Sequence, residues 1–275
     1  MKTIIADTAD YFDRDEISNS MMKYFQESGS WSYHHRHNLK TLADDLSSDA
    51  LRIGTGFHNY VEFMATPGKD SKVSDYVVIL PDFIDDEPLN LRKKAHRELV
   101  ADWKELAGNV PCLTAEEMAH VTKMVASMWD NPAAHELVTA AQPDYCEVVC
   151  TNVLQGVAVK AKADLVLGDT IVDYKTTRHA TKRSFLKDAV WKYKYHRQAA
   201  HYLDVFEAKK FIIIAVRNFE PYESIVYEVP SDLIAEGREA NYQTLDAIKD
   251  CRDMDSWHSP GWGSVTHLLE DNKHG

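Results

Sequence analysis

The stretch KADLVLGDTIVDYKTT, Lys162 to Thr177, sets two acids, Asp164 and Asp173, into runs otherwise built from Ala, Leu, Val and Ile, with Lys175 two residues beyond the second acid. Gly168-Asp169 separates the two apolar runs, and Gly at the first central position suits a two-residue type II′ hairpin turn. If Leu167 then pairs with Thr170, Val166 faces Ile171, Leu165 faces Val172, and Asp164 faces Asp173. Alternation along the strands places Lys160, Lys162, Asp164, Asp173, Lys175 and Thr177 on one face. Ala161, Ala163, Leu165, Val172 and Tyr174 fall on the other, and a bulge would shift the pairing by one. Like charges directly opposite on a sheet destabilise it by about 0.2–1 kcal/mol, so a compensating cation is expected. Hard oxygen donors with no soft partner nearby suit Mg²⁺, or Mn²⁺ in its place. Lys175 would then point at the anion such a metal holds, and a phosphate fits both.

The elements that must position these residues follow from periodicity. From Asp144, Tyr145–Thr151, Gly156–Leu167 and Thr170–Thr176 read as successive antiparallel strands. A long helix from about Ser184 to Phe206 follows, then strands at Phe211–Val216 and Ser224–Val229, and a closing helix capped by Ser231 that runs to about Cys251. The part before residue 144 reads as mostly helical. Ser18-Asn19-Ser20 caps a helix over Met21–Ser28, and WSYHHRHN (Trp31–Asn38) reads as a loop whose His34, His35 and His37 are polar loop residues. Further helices are expected at Thr55–Met64, Asn90–Ala107 and Thr114–Met128, the last with the capping-box spacing of Thr114 and Glu117, and a short strand at Tyr76–Leu80. The sum is an α+β fold with a mixed central β-sheet flanked by helices. Residues 1–275 are expected to form one domain: a helical N-terminal part over 1–143, the sheet and its helices over 144–255, and a tail over 256–275. The tail's SWHSPGW reads as an ordered cap with a turn at Pro260-Gly261.

A chain of 275 residues with 44% hydrophobic and 27% charged residues can bury a substantial core and reads as soluble and globular. No apolar run approaches the roughly 18 residues of a membrane span. The opening MKTIIADTADYFDRDE turns acidic early, unlike a secretory signal, so a cytoplasmic location is expected. Cys112, Cys146, Cys150 and Cys251 form no CxxC pair and read as free buried thiols. The formal charge is −12, yet Lys175, Arg178, Lys182, Arg183, Lys187, Lys192, Lys194 and Arg197 face only Asp188 within one stretch. Such segregation suits an enzyme that meets DNA along one groove, and a solvated helix face is the other reading. Tyr193 and Tyr195 suit either base stacking or packing on the sheet, and Trp191 is assigned to the core.

Asp164, eight intervening residues and then Asp173-Tyr174-Lys175 on a hairpin followed by a helix resembles the PD-(D/E)XK nuclease core. Gln198-Ala-Ala-His-Tyr202 is similar to the QxxxY element of RecB-like members, with Gln and Tyr on one helical face. His58, in Gly54-Thr55-Gly56-Phe57-His58 of the N-terminal part, is similar to the family's metal histidine. The longer string YKTTRHATKRSFLKDAVWKYKYHRQAAHYLD, with EISNS near the start, resembles the nuclease domain of RecE-type exonucleases (exodeoxyribonuclease VIII) from about Ile17 to Trp262. Two departures are Ala163 where the family has proline and Asp173 where many relatives have Glu; neither removes a metal oxygen. RecE proteins also carry a long N-terminal extension, so this chain looks like a compact, phage-like version.

The resemblance implies that His58, Asp164, Asp173 and the Tyr174 backbone carbonyl hold Mg²⁺, with Glu147 binding a second metal or its water shell. A lone strand Glu is otherwise a solvated edge residue. Lys175 would activate or position water and offset phosphoryl charge, and Gln198 and Tyr202 would orient the strand. Arg178, Lys182, Arg183, Lys192, Lys194 and Arg197 would contact DNA. The implied activity is ATP-independent 5′ to 3′ digestion of one strand at double-stranded DNA ends, consistent with the absence of GxxxxGK[ST]. It leaves 3′ overhangs for recombination with a single-strand annealing protein of the RecT type, and relatives form homo-oligomeric rings. The alternatives are a RecB-like nuclease or endonuclease acting with a helicase, and a catalytically silent DNA-binding module of the same fold.

Overall fold

The computed structural model describes residues 2–5, 11–42, 49–66, 72–179 and 181–258. The expected turn at Pro260-Gly261 lies outside them. β1 (Thr3–Ile5) is a short edge strand. α1 (Asn19–Tyr33) begins as expected, with the Ser18 hydroxyl accepting the Met21 N–H. It does not end at Ser28. Gly29 takes φ +80°, a conformation that glycine adopts without a Cβ clash, and after this kink the helix resumes and widens into a π-helical turn over His34–Asn38. WSYHHRHN is therefore helical and not a loop. Its support is tertiary: Trp257 stacks on His34 at 4.7 Å, and the Trp31 N–H donates to the His258 carbonyl at 3.2 Å. The described start of the tail is thus an ordered cap.

α2 (Asp49–Ala65) starts earlier than its expected span. β2 (Val78–Ile79), the β3–β4 ribbon (Phe83–Ile84 and Glu87–Pro88), α3 (Lys94–Ala107) and β5 (Cys112–Leu113) make a small annex in which β2 and β5 pair in parallel. α4 (Ala115–Asp130) opens on the predicted Thr114–Glu117 capping box. α5 (Pro132–Thr139) was not expected; Asn131 caps it and Pro132 sits at its first position.

The part of the chain after residue 145 follows the expected strand order. β6 (Cys146–Leu154), β7 (Val157–Leu167) and β8 (Thr170–Thr177) form the antiparallel meander. α6 (Lys182–Trp191) and α7 (Tyr195–Phe206) then carry the chain over to β9 (Lys210–Arg217), parallel to β8, before β10 (Ser224–Glu228) and α8 (Ser231–Asp253). The sheet order is β1-β6-β7-β8-β9-β10, a mixed sheet in an α+β fold as expected. One long helix over 184–206 is corrected to two, because Lys194 adopts a left-handed φ of 58° and breaks the ladder. Trp191, at the end of α6, is consequently 68% exposed and not in the core. Ser231 is not the cap of α8; Pro230 holds that position, with no side-chain bond.

Two cores cover the sheet. On one face Ala161, Ala163 and Ile171 pack with Ala199, Ala200 and Leu203 of α7 and Leu245 of α8. On the other, Leu165, Val172 and Tyr174 pack with Phe57 of α2 and Val121 and Met124 of α4. All four cysteines are free, Cys112 and Cys150 buried and Cys146 and Cys251 half-buried. Among the described residues no helix is long and apolar enough to cross a membrane.

Candidate active site

The turn behaves as derived: Gly168 has φ +63°, and Leu167↔Thr170, Val166↔Ile171 and Leu165↔Val172 pair in the expected register. There the β7–β8 ladder ends. Ala163 packs on the α7 side while Leu165, two residues on, packs on the α4 side, so strict alternation breaks at Asp164. The expected single face for Ala161, Ala163, Leu165, Val172 and Tyr174 is corrected accordingly. Opposite the break, Glu147 takes a left-handed φ of 53°, and the β6–β7 pairing steps from Cys146↔Leu165 to Val148↔Ala163. Backbone strain of this kind persists where surrounding structure over-determines it, as at functional sites.

The opened ladder frees Asp164 to turn toward α2. Its Oδ2 accepts the Tyr174 N–H at 2.6 Å, and its Oδ1 lies 3.3 Å from His58 Nδ1. Ligating atoms of His58, Glu147 and Asp164 all lie within 4.8 Å of one another. Two carboxylate oxygens and one imidazole nitrogen form a mixed hard and borderline donor set that can hold a divalent cation. Glu147 also pairs with Lys162. Burial disfavours charge on all three groups. The Asp164 carboxylate nonetheless lifts His58 above the ordinary histidine pKa, and His58, Lys175 and the Tyr174 N–H hold Asp164 below its usual range. Burial and the neighbouring Asp164 push Glu147 upward, the signature of an acid that lacks a full counter-charge.

Asp173 points instead toward α7. Gln198 donates to its Oδ1 at 2.7 Å, and Lys175 Nζ sits 2.7 Å from its Oδ2. With both oxygens engaged, Asp173 stands outside the three-residue cluster. Gln198 in turn hydrogen-bonds Tyr202, which packs edge-on against Phe211, so the Gln198/Tyr202 pair braces the acid. The Tyr174 ring is buried beside His58. Desolvation works against the Lys175 charge, but Asp173 and Asp164 outweigh it and hold the ammonium protonated. Each acid thus has its own cation, His58 for Asp164 and Lys175 for Asp173. Burial and the neighbouring Asp164 carboxylate nonetheless leave Asp173 above its usual range despite Lys175, so the protein's own cations relieve the repulsion between the acids only in part.

A cleft of about 810 Å³ opens onto His58, Glu147, Asp164 and Lys175. Two further residues line it that the sequence reading did not assign to the site. Glu62 lies one turn beyond His58 on α2, a spacing that could have flagged it. Tyr195 lies under the Lys175 ammonium, 5.2 Å from ring centre to Nζ, and stacks on Tyr193 at 5.3 Å. Of the basic residues, Arg178, Lys182, Arg183 and Lys192 are exposed and Lys194 is half-buried. Arg197 is buried at 7% exposure and bonded to Asn241 Oδ1 at 2.9 Å and Thr244 Oγ1 at 3.1 Å. It joins α7 to α8 and is not a DNA contact.

Residues 18–261 match a family described as a PDDEXK-like domain of unknown function, DUF3799. The fold is also similar to a solved structure described as a "Putative exonuclease" from Eubacterium rectale. That likeness has a TM-score of 0.61 at 15% identity and covers 90% of this chain and 85% of the other. The solved structure of SSO0001 aligns over 70% of this chain and 84% of its own at 16% identity, with a TM-score of 0.29 that carries no weight for the fold. No curated protein matches the sequence.

Proposed function

Since the chain belongs to this PDDEXK-like family, DUF3799, and so to the PD-(D/E)XK nuclease superfamily, we propose that it is a divalent-metal-dependent exonuclease acting on double-stranded DNA ends. The observation that carries this reading is the convergence of His58, Glu147 and Asp164 within 4.8 Å, beside Lys175 in an open cleft. His58, Glu147 and Asp164 would hold Mg²⁺, and the resemblance adds the Tyr174 carbonyl, while Asp173, a ligand in that resemblance, is engaged here by Gln198 and Lys175. Bound there, the cation supplies positive charge that polarises the phosphodiester toward attack by water. Lys175, held protonated between the two acids, offsets charge growing on the phosphoryl oxygens and orients the attacking water. Gln198 fixes Asp173, and Tyr202 fixes Gln198, so Lys175 is held on a braced carboxylate.

The finer features rest on the RecE-like string around Lys175 and Gln198. They are ATP-independent 5′ to 3′ digestion of one strand in the cytoplasm, 3′ overhangs for a RecT-type annealing partner, and a homo-oligomeric ring. Arg178, Lys182, Arg183, Lys192 and Lys194 line the DNA approach in this reading. The test is digestion of linear duplex labelled at either the 5′ or the 3′ end, beside a covalently closed circle, with Mg²⁺ and with EDTA. Mg²⁺-dependent early release of the 5′ label with the circle intact supports the proposal. Cutting of the circle would make the protein an endonuclease, early release of the 3′ label would reverse the polarity, and binding without cleavage would make it a silent DNA-binding module.

A further inference from the structure

Lys160 is a buried cation that the proposed chemistry does not use. It lies on β7, two residues before Lys162 and four before Asp164, and is 3% exposed. Its Nζ donates to the carbonyls of Tyr11 at 2.6 Å and Arg14 at 2.7 Å and lies 4.8 Å from the centre of the Tyr11 ring. A desolvated ammonium carries a large penalty unless its donors are satisfied. Here it clamps both ends of a four-residue loop onto the strand that bears the metal acid. The tip of that loop is Phe12. Its ring meets Tyr11 edge-on at 5.3 Å and is otherwise 85% exposed.

Phe12 also occupies a junction. It lines the catalytic cleft that contains His58 and Asp164, and it lines two neighbouring cavities of about 510 and 410 Å³. The larger of these brings together Arg36, Lys40 and Arg252 against Asp13 and Asp15, with Arg14 paired to Glu16 at 2.6 Å, a small cationic excess in a chain of formal charge −12. A rigidly presented aromatic ring between a phosphodiester-cleaving cleft and a cationic cavity matches the way unpaired strands are held, with bases stacked on aromatic faces and phosphates tracked by basic side chains. Duplex DNA offers no free base face to such a ring except at its end.

We infer that Phe12 is a base-stacking residue at the mouth of the cleft and that the adjoining cavity lined by Arg36, Lys40 and Arg252 receives the phosphates of an unpaired DNA strand. This rests on the nuclease reading and specifies which part of the substrate lies where. The Lys160 clamp fixes the ring, and Lys160 is a positioning residue.

The test is fluorescence anisotropy in EDTA, where binding is read without cleavage, using a blunt duplex and the same duplex with an unpaired dT tail. Phe12→Ala should weaken binding of the tailed duplex roughly tenfold and that of the blunt duplex, which offers base faces only at its ends, by far less. Phe12→Trp should retain affinity, while Phe12→Leu, apolar but not planar, should behave like the alanine variant. Lys40→Ala should lower the log-log salt slope for the tailed duplex by about 0.7. Because Phe12 is exposed, its truncation should not alter the melting curve. Equal tailed-duplex affinity for wild type and Phe12→Ala, or full retention by Phe12→Leu, would overturn the inference while leaving Mg²⁺-dependent cleavage intact. A wild-type protein that neither binds nor cuts DNA would overturn the nuclease reading as well.

Discussion

At the scale of single residues, the pair that decides the site's electrostatics is Asp173 and Lys175. The sequence sets Asp173 opposite Asp164, a pair of like charges for which a compensating metal cation is expected. In the structure Lys175 lies 2.7 Å from Asp173, with 19% and 4% of their side chains exposed. Removing one member of a buried pair leaves the other uncompensated, which in full burial costs about 3–5 kcal/mol. Lys175 keeps some access to water and the Asp164 carboxylate as a second counter-charge, and the repulsion between the acids is removed, so Asp173→Asn should destabilise the metal-free protein by only about 1 kcal/mol. Urea denaturation in EDTA checks this, and a variant as stable as wild type would mean that the ion pair contributes nothing. Asp164, Asp173 and Lys175 were legible from type and spacing on the hairpin, whereas His58, Gln198 and Tyr202 came from the resemblance to PD-(D/E)XK nucleases. The role of Arg197 was not legible. Its partners, Asn241 and Thr244, come from α8, and only the packed fold shows that a residue in a basic run faces inward.

Among the elements, the β7–β8 turn, the Thr114–Glu117 box and the order of strands could be read directly, since each rests on a local rule. The breaks could not. Lys194 carries no glycine or proline signal for its left-handed turn, so α6 and α7 read as one helix and Trp191 fell on an apparent core face. The π-helical His34–Asn38 owes its order to Trp257 from the far end of the chain. Helix α7 carries a further consequence on its buried face. His201 is 1% exposed, its Nε2 lies 2.9 Å from the Lys160 carbonyl, and its Nδ1 has no hydrogen-bond partner. Burial pushes its pKa down to about 4. The neutral ring donates through Nε2, and a second proton would be stranded on Nδ1. An unfolded histidine takes up its proton near pH 6.5, so this contribution is full above about pH 6.5 and is lost as pH falls toward about 4. Between about pH 7.5 and about pH 5, wild type should lose about 2 kcal/mol more than His201→Gln. Parallel losses in denaturant titrations would show that His201 titrates normally in the folded protein.

Across the whole molecule, the sheet is closed on both faces by separate cores, and the site forms where that closure fails. The β7–β8 ladder stops at Leu165↔Val172, Asp164 turns to His58 on α2, and Asp173 turns to Gln198 on α7. Both helical layers therefore reach the same opening. Glu147 and Asp164 supply the hard oxygens, and Lys175 stands beside them. The central claim is that His58, Glu147 and Asp164 bind a divalent cation, and the direct measurement is the gain in unfolding free energy on adding Mg²⁺ to the EDTA-treated protein. At a hundredfold excess over Kd the wild type should gain about 2.7 kcal/mol, and Asp164→Asn should lose most of that gain whatever its stability in EDTA. An Asp164→Asn protein that gains as much from Mg²⁺ as wild type would contradict the assignment.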